Sequence, residues 1–143
     1  MPILNYTTTI SALKTTGEIV VILTKAKARE VSFEYDNDGD PVAIKFAIEF
    51  LENLVWFRLA PNWEGVLAAM RRDKVPTRYK NGAQAFKVSW RILKDAIEAQ
   101  MAIVQSNQGE VAEVFLPYAY DGTQTFFQMF KEGKQKQLTS GSR

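Results

Sequence analysis

Between Val31 and Leu59 apolar and polar residues alternate, and turn-forming residues interrupt the alternation twice. That pattern constrains the fold more than any other stretch, because a period of two places one face in a core and the other in water, as in an antiparallel sheet. Val31, Phe33 and Tyr35 alternate with Ser32, Glu34 and Asp36. The run Asn37-Asp38-Gly39-Asp40-Pro41 then supplies turn residues, and Asp-Gly is a strong hairpin signal. Over residues 42–50, Val42, Ile44, Phe46, Ile48 and Phe50 share one face, and Ala43, Lys45, Ala47 and Glu49 share the other. A tight turn near Glu52-Asn53 returns the chain through 54–59, and Pro61 ends the meander.

Helical spacing governs most of the rest. Ser11 stands where an N-cap belongs, and Leu13, Ile19, Ile22, Leu23 and Ala26 recur at helical intervals over 12–27, with Gly17 as the weak point. Residues 3–9 (ILNYTTT) are β-prone and predict a strand ahead of that helix. Asn62 caps a short helix over 63–72 that carries Val66, Leu67 and Met70. The strongest helix covers 83–105, with one apolar stripe of Ala83, Phe86, Trp90, Leu93, Ile97, Met101 and Val104. A second stripe runs through Ala85, Val88, Ile92, Ala96, Ala99 and Ile103, so this helix is either wedged in the core or shared with a second subunit in a homodimer. A helical turn over 111–116 stops at Pro117, the apolar segment 125–130 has no assigned type, and the polar residues 131–143 read as a flexible tail. The expectation is one α+β domain over 1–130, in the order β-α-β-β-β-α-α, with the C-terminal helices packed on an antiparallel sheet.

Composition narrows the chemistry. The 143 residues include no cysteine and no histidine, which removes disulfides, thiol catalysis, thiolate metal sites, histidine triads and the commonest metal ligand. Asp36, Asp38 and Asp40 resemble the start of a calcium loop, but the sixth position holds Pro41 and the twelfth Ala47, so a solvated hairpin turn is the better reading. Carboxylate pairs such as Glu49 and Glu52, or Asp95 and Glu98, are spaced like surface charge, and no glycine-rich phosphate loop is present. The expectation is a non-enzymatic protein with no cofactor and no metal, enzymatic activity being open only through carboxylate or lysine chemistry. The polar N-terminus and the short longest apolar run, residues 19–23, carry no targeting or membrane signal, so the expected location is the cytoplasm.

Charge is distributed unevenly. Between Arg71 and Lys94 lie Arg71, Arg72, Lys74, Arg78, Lys80, Lys87, Arg91 and Lys94 against Asp73 alone, a net +7 in a chain of net +2, which leaves −5 elsewhere. Residues 30–70 carry eight carboxylates against Lys45 and Arg58. Lys80, Gln84, Lys87, Arg91 and Lys94 step by four and three residues, forming one stripe along the long helix. The loop bearing Arg71, Arg72, Lys74 and Arg78 enters that helix at its N-terminus, where backbone N–H groups favour anions, and Tyr79 or Trp63 could stack on bases. The bland alternative is a solvated helix face with core aromatics. A second candidate ligand face holds Lys45, Trp56 and Arg58, which alternation places together beside Leu54; a cover from Phe126, Phe127, Met129 and Phe130 is the favoured alternative there.

Five stretches are similar to an uncharacterised family of small proteins encoded by bacteriophages and mobile elements. They are Asn5-Tyr6-Thr7-Thr8, Tyr35-Asp36-Asn37-Asp38-Gly39, Trp90-Arg91-Ile92-Leu93-Lys94-Asp95, Glu98-Ala99-Gln100-Met101-Ala102 and Glu113-Val114-Phe115-Leu116-Pro117-Tyr118. None is a catalytic or ligand motif. The resemblance implies an origin among early replication and recombination genes and so favours a nucleic-acid role; with the basic segment and its aromatics, the expectation is a phage nucleic-acid-binding accessory protein that prefers single-stranded DNA. A protein-interaction module inhibiting a host protein, and a sponge for a small nucleotide signal, are the alternatives.

Overall fold

In the computed structural model, which describes residues 1–133, 136 and 138, the chain is α+β. The elements are α1 (Ala12–Lys25), β1 (Glu30–Tyr35), β2 (Pro41–Phe50), β3 (Asn53–Leu59), α2 (Trp63–Arg72), α3 (Gly82–Gln105), α4 (Val111–Val114) and α5 (Phe126–Glu132). Short 3-10 turns lie at Thr77–Tyr79 and Leu116–Tyr118. The three strands form one antiparallel sheet in the order β1-β2-β3, as the alternation requires.

The first strand connection is a longer turn held by a side chain, and the second is a two-residue turn with unusual residues in it. At the first, the Asp36 carboxylate accepts from the backbone N–H groups of Asp38 and Asp40, Gly39 takes a left-handed φ of +84°, and the register slips between Glu34 and Tyr35. At the second, Leu51 and Glu52 both adopt positive φ, 50° and 66°, and Phe50 pairs with Asn53. The tight turn therefore sits one residue earlier than the sequence implies, in a conformation usually left to Asn and Gly.

The inner face of the sheet meets α1 and α3. Ile44, Phe46, Ile48, Phe57 and Leu59 pack with Ile19 and Leu23 of α1, Trp90, Ile97 and Met101 of α3, and Phe115. Phe46, Phe57 and Phe115 form a ring cluster with centroids 5.3–6.1 Å apart. Trp90 is fully buried and its indole N–H donates to the Pro41 carbonyl at 3.2 Å. On the other side of α3, Ala85 and Val88 pack with Val66, Met70 and Val75, joined by Ile3, Tyr6, Tyr79 and Ile92. The two apolar stripes thus meet two different neighbours within one chain over the first half of α3, without a second subunit. Ala96, Ala99 and Ile103, the rest of the second stripe, are exposed.

Three expectations are corrected. Residues 3–9 form no strand: residues 4–7 turn, Asn5 has φ 65°, and the Gln84 amide on α3 donates to the Tyr6 and Thr8 carbonyls. The β-prone segment lies against α3 and not along a strand, so a helix side chain satisfies its backbone, and the order begins with α1. The unassigned segment 125–130 becomes α5 because Thr125 and Gln128 form a reciprocal capping box. Lys131 and Glu132 belong to that helix, which shortens the expected tail; residues 134, 135, 137 and 139–143 lie outside the described residues. Among the described residues no helix is long and apolar enough to cross a membrane.

Candidate nucleic-acid interface

The basic stretch divides into two parts with different surroundings. The first part is the connection from α2 to α3. Arg71 and Arg72 end α2, Lys74 turns the chain with φ 57°, and Val75 is buried as the anchor of the loop. The 3-10 turn Thr77–Tyr79 follows, and Asn81 caps α3 while its side-chain amide donates to the Arg78 carbonyl. Tyr79 is half-buried, with its ring edge-on to Tyr6 at 5.4 Å and the Arg78 guanidinium 4.7 Å from its centroid. Arg78 also donates to the Tyr79 hydroxyl at 3.3 Å. The loop therefore has a fixed path, and it holds a guanidinium over an aromatic ring. Arg72 pairs with Asp73 at 3.1 Å, whereas Arg71, Lys74, Arg78 and Lys80 have no carboxylate partner among the described residues.

The second part is the stripe along α3, and there the structure departs from the expectation. Helix α1 lies beside α3, and Glu18 faces the stripe. Arg91 donates to the Glu18 carboxylate at 2.8 Å and to the Thr15 hydroxyl at 3.3 Å. Lys94 bonds Glu98 at 2.9 Å and lies 3.9 Å from Glu18 and 3.8 Å from Asp95. Only 13% and 14% of the Arg91 and Lys94 side chains are exposed. These two cations hold α1 to α3 and leave the candidate interface. Gln84 is engaged by the N-terminal segment, and Lys87 borders a different cleft. Replacing Arg91 with alanine strands Glu18, and we expect a stability loss of about 1–3 kcal/mol in chemical unfolding.

Tyr79 is itself engaged: Tyr6 packs against its ring in a T-shaped contact and the Arg78 guanidinium lies over the ring, so the guanidinium is a further surface for stacking beside it. Trp63, the first residue of α2, lies against Gly82, where the loop enters α3. There it lines a cleft of about 890 Å³ with Leu13, Tyr35, Val42, Phe86 and Lys87.

On the outer face of the sheet Lys45 pairs with Arg58 and Ala47 with Trp56, so alternation placed these side chains together correctly. Arg58 is not free. It grips Glu34 through two hydrogen bonds of 2.9 Å, reaching across β2, and its guanidinium lies 5.8 Å from the Tyr120 ring centroid. This bidentate bond holds the Glu34 carboxyl below its ordinary pKa of 4.5 against the opposing effect of burial. A depressed carboxylate contributes stability above its unfolded pKa and loses it as pH falls through the folded value. Glu34→Gln should therefore flatten the acid limb of the stability profile below about pH 4.5 and change little at neutral pH beyond the modest value of a part-exposed pair, about 0.5–1 kcal/mol. Acid titration followed by circular dichroism checks this; an unchanged acid limb would refute it.

The expected cover over this face also differs. Instead of Phe126 to Phe130, the segment before α5 runs along β3: Ala119 bridges Phe57, and the Tyr120 N–H donates to the Trp56 carbonyl at 2.9 Å. Tyr120, Asp121 and Gly122 then wall a cavity with Lys45 and Trp56. Sequence reasoning missed these three residues because only the Asp-Gly turn signal marked them, and nothing in it tied the turn to the sheet edge. Among the described residues no group of three or more His, Cys, Asp or Glu side chains could hold a metal ion. Compared with family models, curated proteins and solved structures, the chain matches none.

Proposed function

We propose that the protein is a non-enzymatic nucleic-acid-binding accessory protein of a phage, acting in replication or recombination through the α2–α3 loop and preferring single strands. The observation that carries this reading is the contrast within the basic stretch: Arg91 is paired with Glu18 and Lys94 with Glu98, while Arg71, Lys74, Arg78 and Lys80 have no carboxylate partner among the described residues. Five cations against one carboxylate over residues 71–80 form a dense positive surface in an otherwise nearly neutral chain. Such a surface gains affinity from phosphates by releasing counterions. A single strand suits it better than a duplex, because the loop offers a guanidinium on which an unpaired base can stack. The phage origin rests on the five stretches of sequence resemblance.

A labelled oligonucleotide of about 20 nucleotides, titrated with protein and followed by fluorescence anisotropy, tests the reading. Saturable binding that is tighter for the single strand than for the duplex is expected. Equal affinity for both forms would remove the strand preference, and no binding at low salt would remove the function.

A second reading, docking on a protein, is favoured by one observation. Leu13, Tyr35, Val42 and Trp63 all line the larger cleft and all remain exposed.

A further inference from the structure

We infer that the outer face of the sheet carries a binding pocket for a guanine base, formed by Lys45, Trp56, Tyr120 and Asp121. This inference is independent of the α2–α3 loop, and either can fail without the other.

The cavity holds about 280 Å³, near the lower end for small-molecule sites, so it suits one planar ring system rather than an extended ligand. Its walls are fixed. Tyr120 is held through its backbone N–H to the Trp56 carbonyl at 2.9 Å and through its hydroxyl to the Gly122 carbonyl at 3.0 Å. Oδ1 of Asp121 accepts from the Thr123 N–H, the Thr123 hydroxyl and the Gln124 N–H, each at 2.9 Å. These bonds keep the carboxyl below its ordinary pKa, so it is an acceptor and not a donor near neutral pH. The second oxygen, Oδ2, has no hydrogen-bond partner among the described residues. Trp56 is half-buried and supplies an aromatic wall.

Lys45 contributes the opposite charge. Its only carboxylate neighbour among the described residues is Glu34 at 3.9 Å, and that carboxylate is already claimed by Arg58 at 2.9 Å. The ammonium therefore remains able to donate.

An aromatic wall, a free carboxylate oxygen and a lysine donor select among the bases. Guanine presents two adjacent donors, N1–H and the N2 amino group, beside the O6 acceptor. The donors match Oδ2 of Asp121, and O6 matches Lys45. Adenine and cytosine place a ring-nitrogen acceptor beside their single amino donor, which repels a carboxylate. Uracil flanks its one N–H with two carbonyls. The base can belong to a free nucleotide or to an unpaired position in a strand; the recognition chemistry is the same.

The test is calorimetric titration of the full chain with GMP, AMP and UMP. The expected result is saturable one-to-one binding of GMP, weaker binding of AMP and weaker still of UMP. Asp121→Asn keeps an acceptor for the turn and removes the carboxylate; it should lower GMP affinity by roughly ten- to a hundred-fold and leave AMP and UMP almost unchanged. Lys45→Gln leaves the turn untouched and should weaken guanosine and GMP alike, which keeps the test decisive if the Asp121 variant is unstable. A guanine-containing oligonucleotide separates the sources: weakened binding by both variants identifies a base in a strand, and unchanged oligonucleotide binding with lost GMP affinity identifies a free nucleotide. No saturable GMP binding up to about millimolar concentration, or equal loss for all three nucleotides in the Asp121 variant, would overturn the inference.

Discussion

Trp90→Ala is expected to remove about 3–5 kcal/mol of stability, a large fraction of the roughly 5–15 kcal/mol a folded domain commonly has. Trp90 is fully buried at the junction of α3 and the sheet, with the Phe33 ring 6.1 Å away. Its indole N–H donates to the Pro41 carbonyl, so truncation opens a cavity and also strands a carbonyl next to the β1–β2 turn. Trp90→Phe separates the two effects. It retains much of the ring packing and loses the donor, so a smaller cost of about 1–2 kcal/mol is expected. Urea unfolding measures both. A loss below about 1 kcal/mol for the alanine variant would mean that the core does not depend on this residue.

The second large effect concerns binding. Simultaneous Arg71→Ala, Lys74→Ala and Arg78→Ala should reduce oligonucleotide affinity on the order of a hundredfold at low salt. For a single strand, three lost phosphate contacts correspond to a decrease of about 2 in the slope of log affinity against log salt. All three side chains are exposed, so folding should be nearly unchanged; losing the Arg78 contact with Tyr79 costs about 0.5–1 kcal/mol. A variant with normal folding and an unaltered salt slope would place phosphate binding elsewhere.

How much of this was legible in the sequence varied with the range of the interaction. The meander was readable because alternation and turn chemistry are local: Val31, Phe33 and Ile44 face the core, and Asp36 with Gly39 makes the first turn. The caps Ser11 and Asn62 are likewise local, and each accepts a backbone N–H of its helix. Residues 3–9 misled because β propensity reports only fitness for a pleated surface, and this segment has α3 beside it instead of a strand. The stripe on α3 misled for a similar reason. Its spacing correctly puts Arg91 and Lys94 on one face, but the partner that neutralises Arg91 is Glu18, more than 70 residues away in sequence, while Lys94 bonds Glu98 just past the end of the basic stretch. A charge count within one segment cannot see such a partner; placing α1 beside α3 would have revealed it. The outer sheet face was half readable, since alternation unites Lys45, Trp56 and Arg58, while Glu34 and Tyr120 arrive from a neighbouring strand and a later turn.

The central claim is that the α2–α3 loop, and not the stripe on α3, binds nucleic acid. Anisotropy titrations of one labelled single strand at about 50 and 200 mM salt, comparing the wild-type chain, the Arg71/Lys74/Arg78 triple alanine variant and a Glu18→Gln, Arg91→Gln double variant, test it most directly. The account predicts that the triple variant loses affinity and salt slope, while the double variant, which removes an internal ion pair without changing net charge, binds like wild type. Loss of binding in the folded double variant with retention in the triple variant would contradict it.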